Sequence, residues 1–285
     1  MAKTKIEWTN CTWNFITGCT QVSPACKNCY AKAMTKRLQG MALKNIKGSE
    51  KYILGWDKMI FHTEVLKDIL DKKKYPKGSK VFVNSMSDTF HEDISLDDIW
   101  DIFYHASQRQ DLIFQFLTKR PKQMIARFGE IFHYLDNLCR DENSQDYFSE
   151  EIFKHCWFGV TAENQKMADE RIPELLKLRE LFGEEGKNLI LFVSIEPMLE
   201  AINLRPYLKE LDWVIVGGEN APKGKARLMK IEWVDSIELQ CESFKVPLFF
   251  KQWGNNIDDF MPFRLDEIKA GYEKHKEFPL IRSAR

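Results

Sequence analysis

Residues 189–220 read LILFVSIEPMLEAINLRPYLKELDWVIVGGEN and contain two short apolar runs, each followed within a few positions by a glutamate. Neither run alternates apolar with polar residues. Such continuous runs are typical of strands that are covered on both faces, as in a parallel sheet. Comparable runs recur at six other places: residues 80–85, 112–117, 156–160 and 247–250 and, more weakly, residues 12–16 and 58–61. The pattern therefore predicts up to eight parallel strands.

Helical spacing fills the segments between these runs. Ser95 and Asp98 have the spacing of a capping box, and apolar residues follow them at helical intervals. Residues 168–176 and 231–244 repeat the helical pattern. Strands that alternate with helices predict an α/β fold. We expect a parallel, TIM-like (β/α) barrel of six to eight strands, complete or partial, with a doubly wound open sheet as the alternative.

Three stretches differ from the strand–helix repeat: residues 39–57, 134–155 and 255–285. We expect the barrel domain to span residues 1–254, with a cysteine loop at residues 19–29. Residues 134–155 form an acidic insertion in this domain, and residues 255–285 form a charged C-terminal extension with little periodicity.

Composition excludes several classes of protein. No apolar run approaches the roughly 20 residues of a membrane helix, and the first residues, MAKTKIEW, are not an apolar leader. Seven cysteines, an odd number and partly scattered, indicate a reducing compartment, so a cytoplasmic protein is expected. The 42 basic and 42 acidic residues cancel, so no global field draws the chain to nucleic acid. Neither of the glycine-rich signatures for dinucleotides and nucleoside triphosphates occurs.

The cysteine loop lies in the run TGCTQVSPACKNCYA, residues 17–31, and contains Cys19, Cys26 and Cys29. Three close thiolates can hold three irons of a four-iron cluster, which leaves the fourth iron open to a small molecule. The alternatives are a structural zinc site with a fourth ligand from elsewhere and a set of unliganded thiols. Cys11 could complete a four-thiolate site, but we interpret it as incidental.

Polar residues follow almost every predicted strand. In parallel α/β folds the active site lies at these carboxyl ends. Glu196 and Lys251 come directly after runs that look buried, where a charge is costly unless it is paired or binds a ligand. Gly217 and Gly218 would let backbone approach a ligand, and Glu219 could accept hydrogen bonds from it, although glycine pairs also make tight turns.

Seven runs, in order between residues 8 and 254, resemble a phage-associated family built on a domain of unknown function and grouped with radical S-adenosylmethionine enzymes. The matching runs are TWNFITGCTQVSPACKNCYA, VFVNSMSDTFHE, FLTKRP, FGVTAEN, FVSIEPML, DWVIVGGEN and PLFFKQWG. The cysteine gaps here are six and two residues, whereas the commonest radical-enzyme loop has three and two.

The resemblance implies a [4Fe-4S] cluster ligated by Cys19, Cys26 and Cys29, with S-adenosyl-L-methionine on the fourth iron. Reduction of the cluster would cleave the sulfonium and give a 5′-deoxyadenosyl radical. We expect six residues to bind the cofactor: Ser85, Ser194, Gly217, Gly218, Glu219 and Tyr30. We expect three charged residues to act in catalysis: Asp88, Glu196 and Lys251.

The predicted function is a radical enzyme that acts on a nucleic acid or a nucleotide-derived substrate. The phage association of the family supports this substrate class, as do the basic residues near strand ends: Lys119, Arg120, Arg227 and Lys251. We expect such an enzyme to use an external electron donor and not to bind a membrane. The sequence does not indicate its oligomeric state. The alternatives are a zinc-stabilised, non-catalytic nucleic-acid-binding module and an iron–sulfur sensor or electron carrier with four protein ligands.

Overall fold

The structure is a computed structural model, and it describes residues 4–138, 150–221, 224–256, 271–272 and 275–280. Within these residues, strands and helices alternate as the sequence predicts. The strands are β1 (Cys11–Trp13), β2 (Ile16–Thr17), β3 (Ile60–Phe61), β4 (Lys80–Val83), β5 (Ile113–Thr118), β6 (Cys156–Thr161), β7 (Ile190–Ile195), β8 (Trp213–Gly217) and β9 (Leu248–Gln252).

The α-helices lie between the strands. They are α1 (Tyr30–Ala42), α2 (Thr63–Leu66), α3 (Leu96–Ser107), α4 (Pro121–Leu138), α5 (Gln165–Leu181), α6 (Gly183–Gly186) and α7 (Ile231–Phe244). The predicted capping box begins α3, where the Ser95 side chain accepts from the Asp98 N–H and the Asp98 carboxylate accepts from the Ser95 N–H. This exchange satisfies two backbone donors at the start of the helix.

Seven parallel strands of the described chain form one sheet in the order β1-β4-β5-β6-β7-β8-β9. The order confirms the predicted α/β fold of the partial, TIM-like (β/α)-barrel type, with a strand count inside the predicted range. Residues 58–61 were expected to supply an eighth barrel strand. Instead β3, which is only half-buried, pairs antiparallel with β2 in a separate two-stranded sheet.

The chain divides into two compact units. The first comprises Met1–Thr20, Ala31–Phe158 and Lys177–Leu189. The second comprises Gln21–Tyr30, Gly159–Leu176 and Ile190–Arg285.

The core of the first unit is aromatic. Phe103, Phe116, Phe128 and Phe158 are fully buried, and their ring centroids lie 5.1–6.4 Å apart. In this unit β4 pairs in parallel with both β1 and β5. The cluster joins β5 and β6, which carry Phe116 and Phe158, to α3 and α4, which carry Phe103 and Phe128.

The second unit contains the parallel pairs β7–β8 and β8–β9. A segment of the expected C-terminal extension packs here, because the Phe250 N–H donates to His275 O and the Glu277 N–H donates to Leu248 O. The buried Trp213 also donates its indole N–H to Glu277 O at 2.8 Å. Residues 275–277 therefore lie antiparallel along β9.

The acidic insertion is only partly described. Residues 134–138 continue α4, and Glu150–His155 form a 3-10 helix before β6. Residues 139–149, like most of residues 257–285, lie outside the described residues. No helix in the described part of the chain is long and apolar enough to cross a membrane.

A candidate cofactor site at the cysteine loop and the strand ends

The cysteine loop follows β2 and ends directly before α1. Its second half, Pro24–Asn28, is a 3-10 turn in which the Cys26 N–H donates to Ser23 O and the Cys29 N–H donates to Cys26 O at 3.3 Å. Cys26 is buried, whereas Cys29 is partly exposed. The six described cysteines are all free thiols. The turn thus presents Cys26 and Cys29 one helical turn apart.

Cys19 lies in the first unit, against the guanidinium of Arg120. The Arg120 Nη1 atom is 3.9 Å from Cys19 Sγ, and Nη2 donates to Thr20 O and Thr20 Oγ1 at 3.2 and 2.7 Å. Burial raises the pKa of the Cys19 thiol to about 11, Asp88 adds to the rise, and Arg120 opposes it. Arg120, and to a smaller extent Lys119, therefore favours the thiolate form of Cys19.

Asp88 anchors Arg120 and the loop after β5. Its carboxylate accepts from the Thr118 hydroxyl at 2.7 Å, from the Lys119 N–H at 3.0 Å and from Arg120 Nη1 at 3.2 Å. It also accepts from the Phe90 N–H, and the residue is buried. Because the Asp88 carboxylate oxygens already accept hydrogen bonds from these protein donors, the geometry places Asp88 as a support for the Arg120 guanidinium. Its expected catalytic role stays a prediction.

His91 provides a second contact to the start of the cysteine loop. Its Nε2 atom lies 2.8 Å from the Thr20 hydroxyl. Burial, with Arg120 nearby, lowers the pKa of His91. The neutral imidazole can therefore share a hydrogen bond with Thr20 at neutral pH.

In the second unit, Glu163 holds the beginning of the cysteine turn. This fully buried residue follows β6, accepts from the Ala25 N–H at 2.9 Å and pairs with Arg171 at 3.0 Å. Desolvation would raise the pKa of Glu163, but hydrogen bonds from Ser23 and Ala25 together with the Arg171 charge lower it. Glu163 is therefore ionised and fixes the turn from its N-terminal side.

Glu219 holds the other side of the same turn. Its Oε2 accepts from the Asn28 amide at 2.9 Å and from the Arg227 N–H and Nε–H at 2.9 and 3.0 Å. Arg227 also donates from Nη1 to Pro24 O at 2.9 Å, and Asn28 also donates to Lys225 O. Desolvation opposes ionisation of Glu219, but Arg227 and Asn28 lower its pKa. The carboxylate is thus used on the turn that carries Cys26 and Cys29.

The ends of β7 and β9 bring together three of the predicted residues. Lys251 Nζ lies 2.7 Å from Glu196 Oε1, and the Ser194 hydroxyl donates to Glu196 Oε2 at 3.1 Å. A side chain at Gly217 would place its Cβ 2.8 Å from the same Glu196 carboxylate. This cluster is partly open to solvent and combines a cation, a carboxylate and a hydroxyl at the carboxyl ends of strands.

Gly218 is confined by the protein itself. A Cβ at this position would meet Trp253 O at 1.8 Å, so only glycine fits against the backbone after β9. The Gly218 N–H donates to Gln252 O at 2.8 Å. The glycine pair therefore allows a close approach of two strand ends, and its expected contact with a cofactor stays a prediction.

The two remaining residues that were expected to bind the cofactor are Ser85 and Tyr30. Ser85 donates to Asn14 Oδ1 at 3.1 Å in the first unit. Tyr30 begins α1 directly after Cys29, and 47 % of its surface is exposed. Their predicted contacts with the cofactor are not tested by these positions.

The donor set fits a cluster bound through sulfur. Three free cysteines on one loop supply the soft ligands that iron–sulfur clusters take. Among the described residues, no group of three or more His, Cys, Asp and Glu side chains is already arranged to hold a metal ion. The fit thus rests on the thiol chemistry and on the carboxylates and arginines that fix the loop.

Sequence reasoning missed the role of these fixing residues. No role was assigned from the sequence to Glu163, Arg171 or Asn28, and Arg120 and Arg227 were expected only as substrate contacts. For Glu163 and Arg120 the available signal was charge close to a predicted strand end, whereas Asn28 is uncharged and Arg171 lies inside α5. The partners lie 101–191 positions away along the chain for Arg120, Glu163 and Glu219.

Comparison with known proteins identifies a family and a set of similar folds. A family model described as "Protein of unknown function (DUF5131)" matches residues 3–276. None of the curated proteins matches the chain.

Solved structures of spore photoproduct lyase are similar in fold. The complex of that enzyme with dinucleoside spore photoproduct matches with 11 % identity and a TM-score of 0.50, over 87 % of this chain and 77 % of that chain. A mutant of the same enzyme with the same ligand matches with 10 % identity, a TM-score of 0.50 and the same coverage. At this identity the likeness shows the α/β fold.

Proposed function

The chain belongs to the DUF5131 family, and we propose that it is a radical S-adenosylmethionine enzyme that acts on a nucleic acid or a nucleotide-derived substrate. The observation that carries the proposal is the cysteine loop with its three free thiols, fixed by side chains from strand ends. Arg120 contacts Cys19, while Glu163 and Glu219 support the turn that carries Cys26 and Cys29. These contacts hold the loop at the carboxyl ends of the strands, where active sites of parallel α/β folds lie, and so support its use as the ligand loop of a cluster.

The cysteines divide into two roles in this proposal. Cys19, Cys26 and Cys29 would ligate a [4Fe-4S] cluster, and Cys11, which is buried in β1, would not. When bound, the cluster would supply one electron that cleaves the sulfonium of S-adenosylmethionine, which would give a carbon radical able to abstract hydrogen from substrate. Arg120 would hold positive charge beside the Cys19 sulfur throughout.

The cluster of Ser194, Glu196 and Lys251 would act on the cofactor or the substrate. Lys251 Nζ holds protons next to Glu196, so it can donate hydrogen bonds to an anionic group or give up a proton. Gly217 leaves space beside the Glu196 carboxylate that any larger residue would fill. The fold shared with spore photoproduct lyase, which was solved with a dinucleoside ligand, supports a nucleotide-type substrate.

Anaerobic reconstitution tests this proposal. The protein is purified without oxygen and supplied with iron and sulfide, and its iron, sulfide and zinc contents are measured. Dithionite, S-adenosylmethionine and a DNA oligonucleotide are then added, and 5′-deoxyadenosine is quantified. We expect about four irons per chain and 5′-deoxyadenosine that depends on Cys26, so that Cys26→Ala abolishes both and Cys11→Ala keeps both. A colourless protein with one zinc and no cleavage product would contradict the proposal.

A further inference from the structure

The segment around α1 has an unusual charge for a chain whose net charge is zero. No Asp or Glu occurs between Glu7 and Glu50. Six cations lie in this interval: Lys27, Lys32, Lys36, Arg37, Lys44 and Lys47. The stretch therefore carries a local positive field that the whole-chain charge hides.

These cations are exposed to solvent. Lys32, Lys36 and Arg37 lie on α1, and Lys44 lies in the loop after it. None of these four forms an ion pair with a residue in the described ranges. The first carboxylate after them, Glu50, accepts from the Gly48 N–H at 2.9 and 2.8 Å. The positive field is thus left open for a partner.

The same segment exposes large apolar side chains. Twelve large hydrophobic residues are exposed in the described chain, and five of them fall within residues 31–54: Met34, Leu43, Ile46, Ile53 and Leu54. Protein interfaces combine an apolar centre with a polar rim, whereas nucleic-acid interfaces are more polar. A surface that is both basic and apolar therefore fits an acidic protein better than a phosphate backbone.

We infer that residues 32–54, the basic apolar segment, form the docking surface for a small acidic electron-carrier protein. The inference rests on the proposed function, because cleavage of S-adenosylmethionine consumes one electron. That electron leaves the reduced carrier, which is oxidised by one electron, and enters the cluster, which is reduced by one. No other reactant is required.

Its place in the chain suits this role. α1 begins directly after Cys29. Because an α-helix rises about 1.5 Å per residue, Lys32, Lys36 and Arg37 lie within roughly 11 Å of the first residue of α1, measured along the helix axis. Electron transfer slows steeply with distance, so a donor must dock near the thiol loop. Opposite charges also speed the encounter, and electron-transfer interfaces are small.

Stopped-flow reduction tests the docking surface, with flavodoxin hydroquinone as the probe. We expect Lys32→Glu/Lys36→Glu/Arg37→Glu to slow cluster reduction by flavodoxin at least tenfold at low salt and to leave reduction by dithionite within twofold. Added salt should slow the wild-type reaction with flavodoxin. The matched control, Lys5→Glu/Lys77→Glu/Lys209→Glu, reverses three exposed cations elsewhere and should change neither rate more than twofold.

A binding measurement separates this inference from the proposed function. Calorimetric titration of oxidised flavodoxin into the protein needs no S-adenosylmethionine turnover. We expect binding that the α1 triple variant weakens at least tenfold and that Met34→Ser/Leu43→Ser weakens at low and high salt alike. Equal affinities in all variants, or binding of double-stranded DNA through these cations without flavodoxin binding, would overturn the inference. Dithionite-driven cleavage in the same preparation would still support the enzyme assignment.

Discussion

The Arg120 guanidinium lies 3.9 Å from the sulfur of Cys19 and joins it to two carboxylates. Nη1 also donates to Asp88 at 3.2 Å, and Nε donates to Glu92 at 2.9 Å. Arg120 is 6 % exposed, so water screens these interactions little. In the proposed cluster site, a positive group next to the Cys19 sulfur would stabilise added electron density, so Arg120 would act as a positioning residue for the cluster.

Replacing Arg120 by lysine should lower the reduction potential of the reconstituted cluster. Lysine keeps the charge but lacks the planar fork that reaches Cys19, Asp88 and Glu92 at once. We expect a shift of about −60 mV, equivalent to a tenfold change in a one-electron equilibrium. An EPR-monitored titration measures it. The control Arg127→Lys changes an arginine of the same unit that pairs with Glu130, and its potential should equal that of the wild type. Equal potentials for all three proteins would remove Arg120 from this role.

Replacing Glu163 by glutamine should destabilise the protein at neutral pH. Glu163 is fully buried and pairs with Arg171 at 3.0 Å, and the change leaves that arginine without its counter-charge. Breaking one side of a buried ion pair costs about 3–5 kcal/mol. Urea denaturation measures the loss. Glu170→Gln, which removes an exposed pair with Lys166, should cost less than about 0.5 kcal/mol.

The effect of Glu163→Gln should depend on pH in a defined direction. The pKa of Glu163 is lowered in the folded protein, so its contribution is fully present above the ordinary glutamate pKa of about 4.3. It is lost as pH falls through the lower folded value. The stability difference between wild type and Glu163→Gln should therefore be constant from pH 7 to about pH 5 and shrink below about pH 4. A difference that grows on acidification would show that the carboxylate is not stabilised as the geometry indicates.

Replacing Asn28 by alanine should loosen the cysteine turn without unfolding the protein. Asn28 joins Glu219 Oε2 to Lys225 O, each at 2.9 Å, and it lies between Cys26 and Cys29. We expect the variant to lose iron at least five times faster to a chelator and to keep its melting temperature within a few degrees, since one hydrogen-bonding side chain contributes about 1 kcal/mol. Asn188→Ala, which changes an exposed asparagine between α6 and β7, is the control. An unchanged rate of iron release in Asn28→Ala would show that the hydrogen bond from Asn28 to Glu219 does not hold the cysteine turn.

Replacing Lys251 by methionine should impair catalysis more than stability. The Lys251 and Glu196 side chains are 24 % and 15 % exposed, so breaking the pair should cost less than the about 3–5 kcal/mol of a fully buried pair. We expect at least tenfold less 5′-deoxyadenosine, about 1.4 kcal/mol in barrier height, with unchanged iron content. Lys187→Met removes the exposed pair with Glu184 and should leave the rate unchanged. A wild-type rate in Lys251→Met would exclude Lys251 as a catalytic residue.

Most of the fold could be predicted from the sequence because its strands are buried on both faces. Residues 190–195 and 213–217 are fully buried, and the apolar runs predict these two strands at residues 189–195 and 212–216, within one residue at each end. The region around residues 58–61 was harder, because a two-residue, half-buried strand leaves no distinct pattern. Its antiparallel pairing with β2 is set by contacts that periodicity does not encode.

The candidate site was only partly predictable for a different reason. The cysteine spacing and the charges at strand ends are local features, so Cys26, Glu196 and Lys251 could be named as candidates from the sequence, and their roles stay predictions. The contacts of Glu163 with Ala25 and of Asn28 with Glu219 join residues 138 and 191 positions apart. Such pairings depend on the strand order, which no single segment specifies, so the use of Glu219 on the cysteine turn emerged only from the fold.

Mössbauer spectroscopy of the protein reconstituted with ⁵⁷Fe tests the central claim most directly, because it reports each iron separately. With Cys19, Cys26 and Cys29 as the protein ligands, one iron of four lacks a thiolate and is free to bind the cofactor. The account predicts that S-adenosylmethionine changes the signal of one iron in four and leaves three unchanged. Four equivalent irons with and without S-adenosylmethionine, or a preparation that binds zinc and no iron, would contradict it.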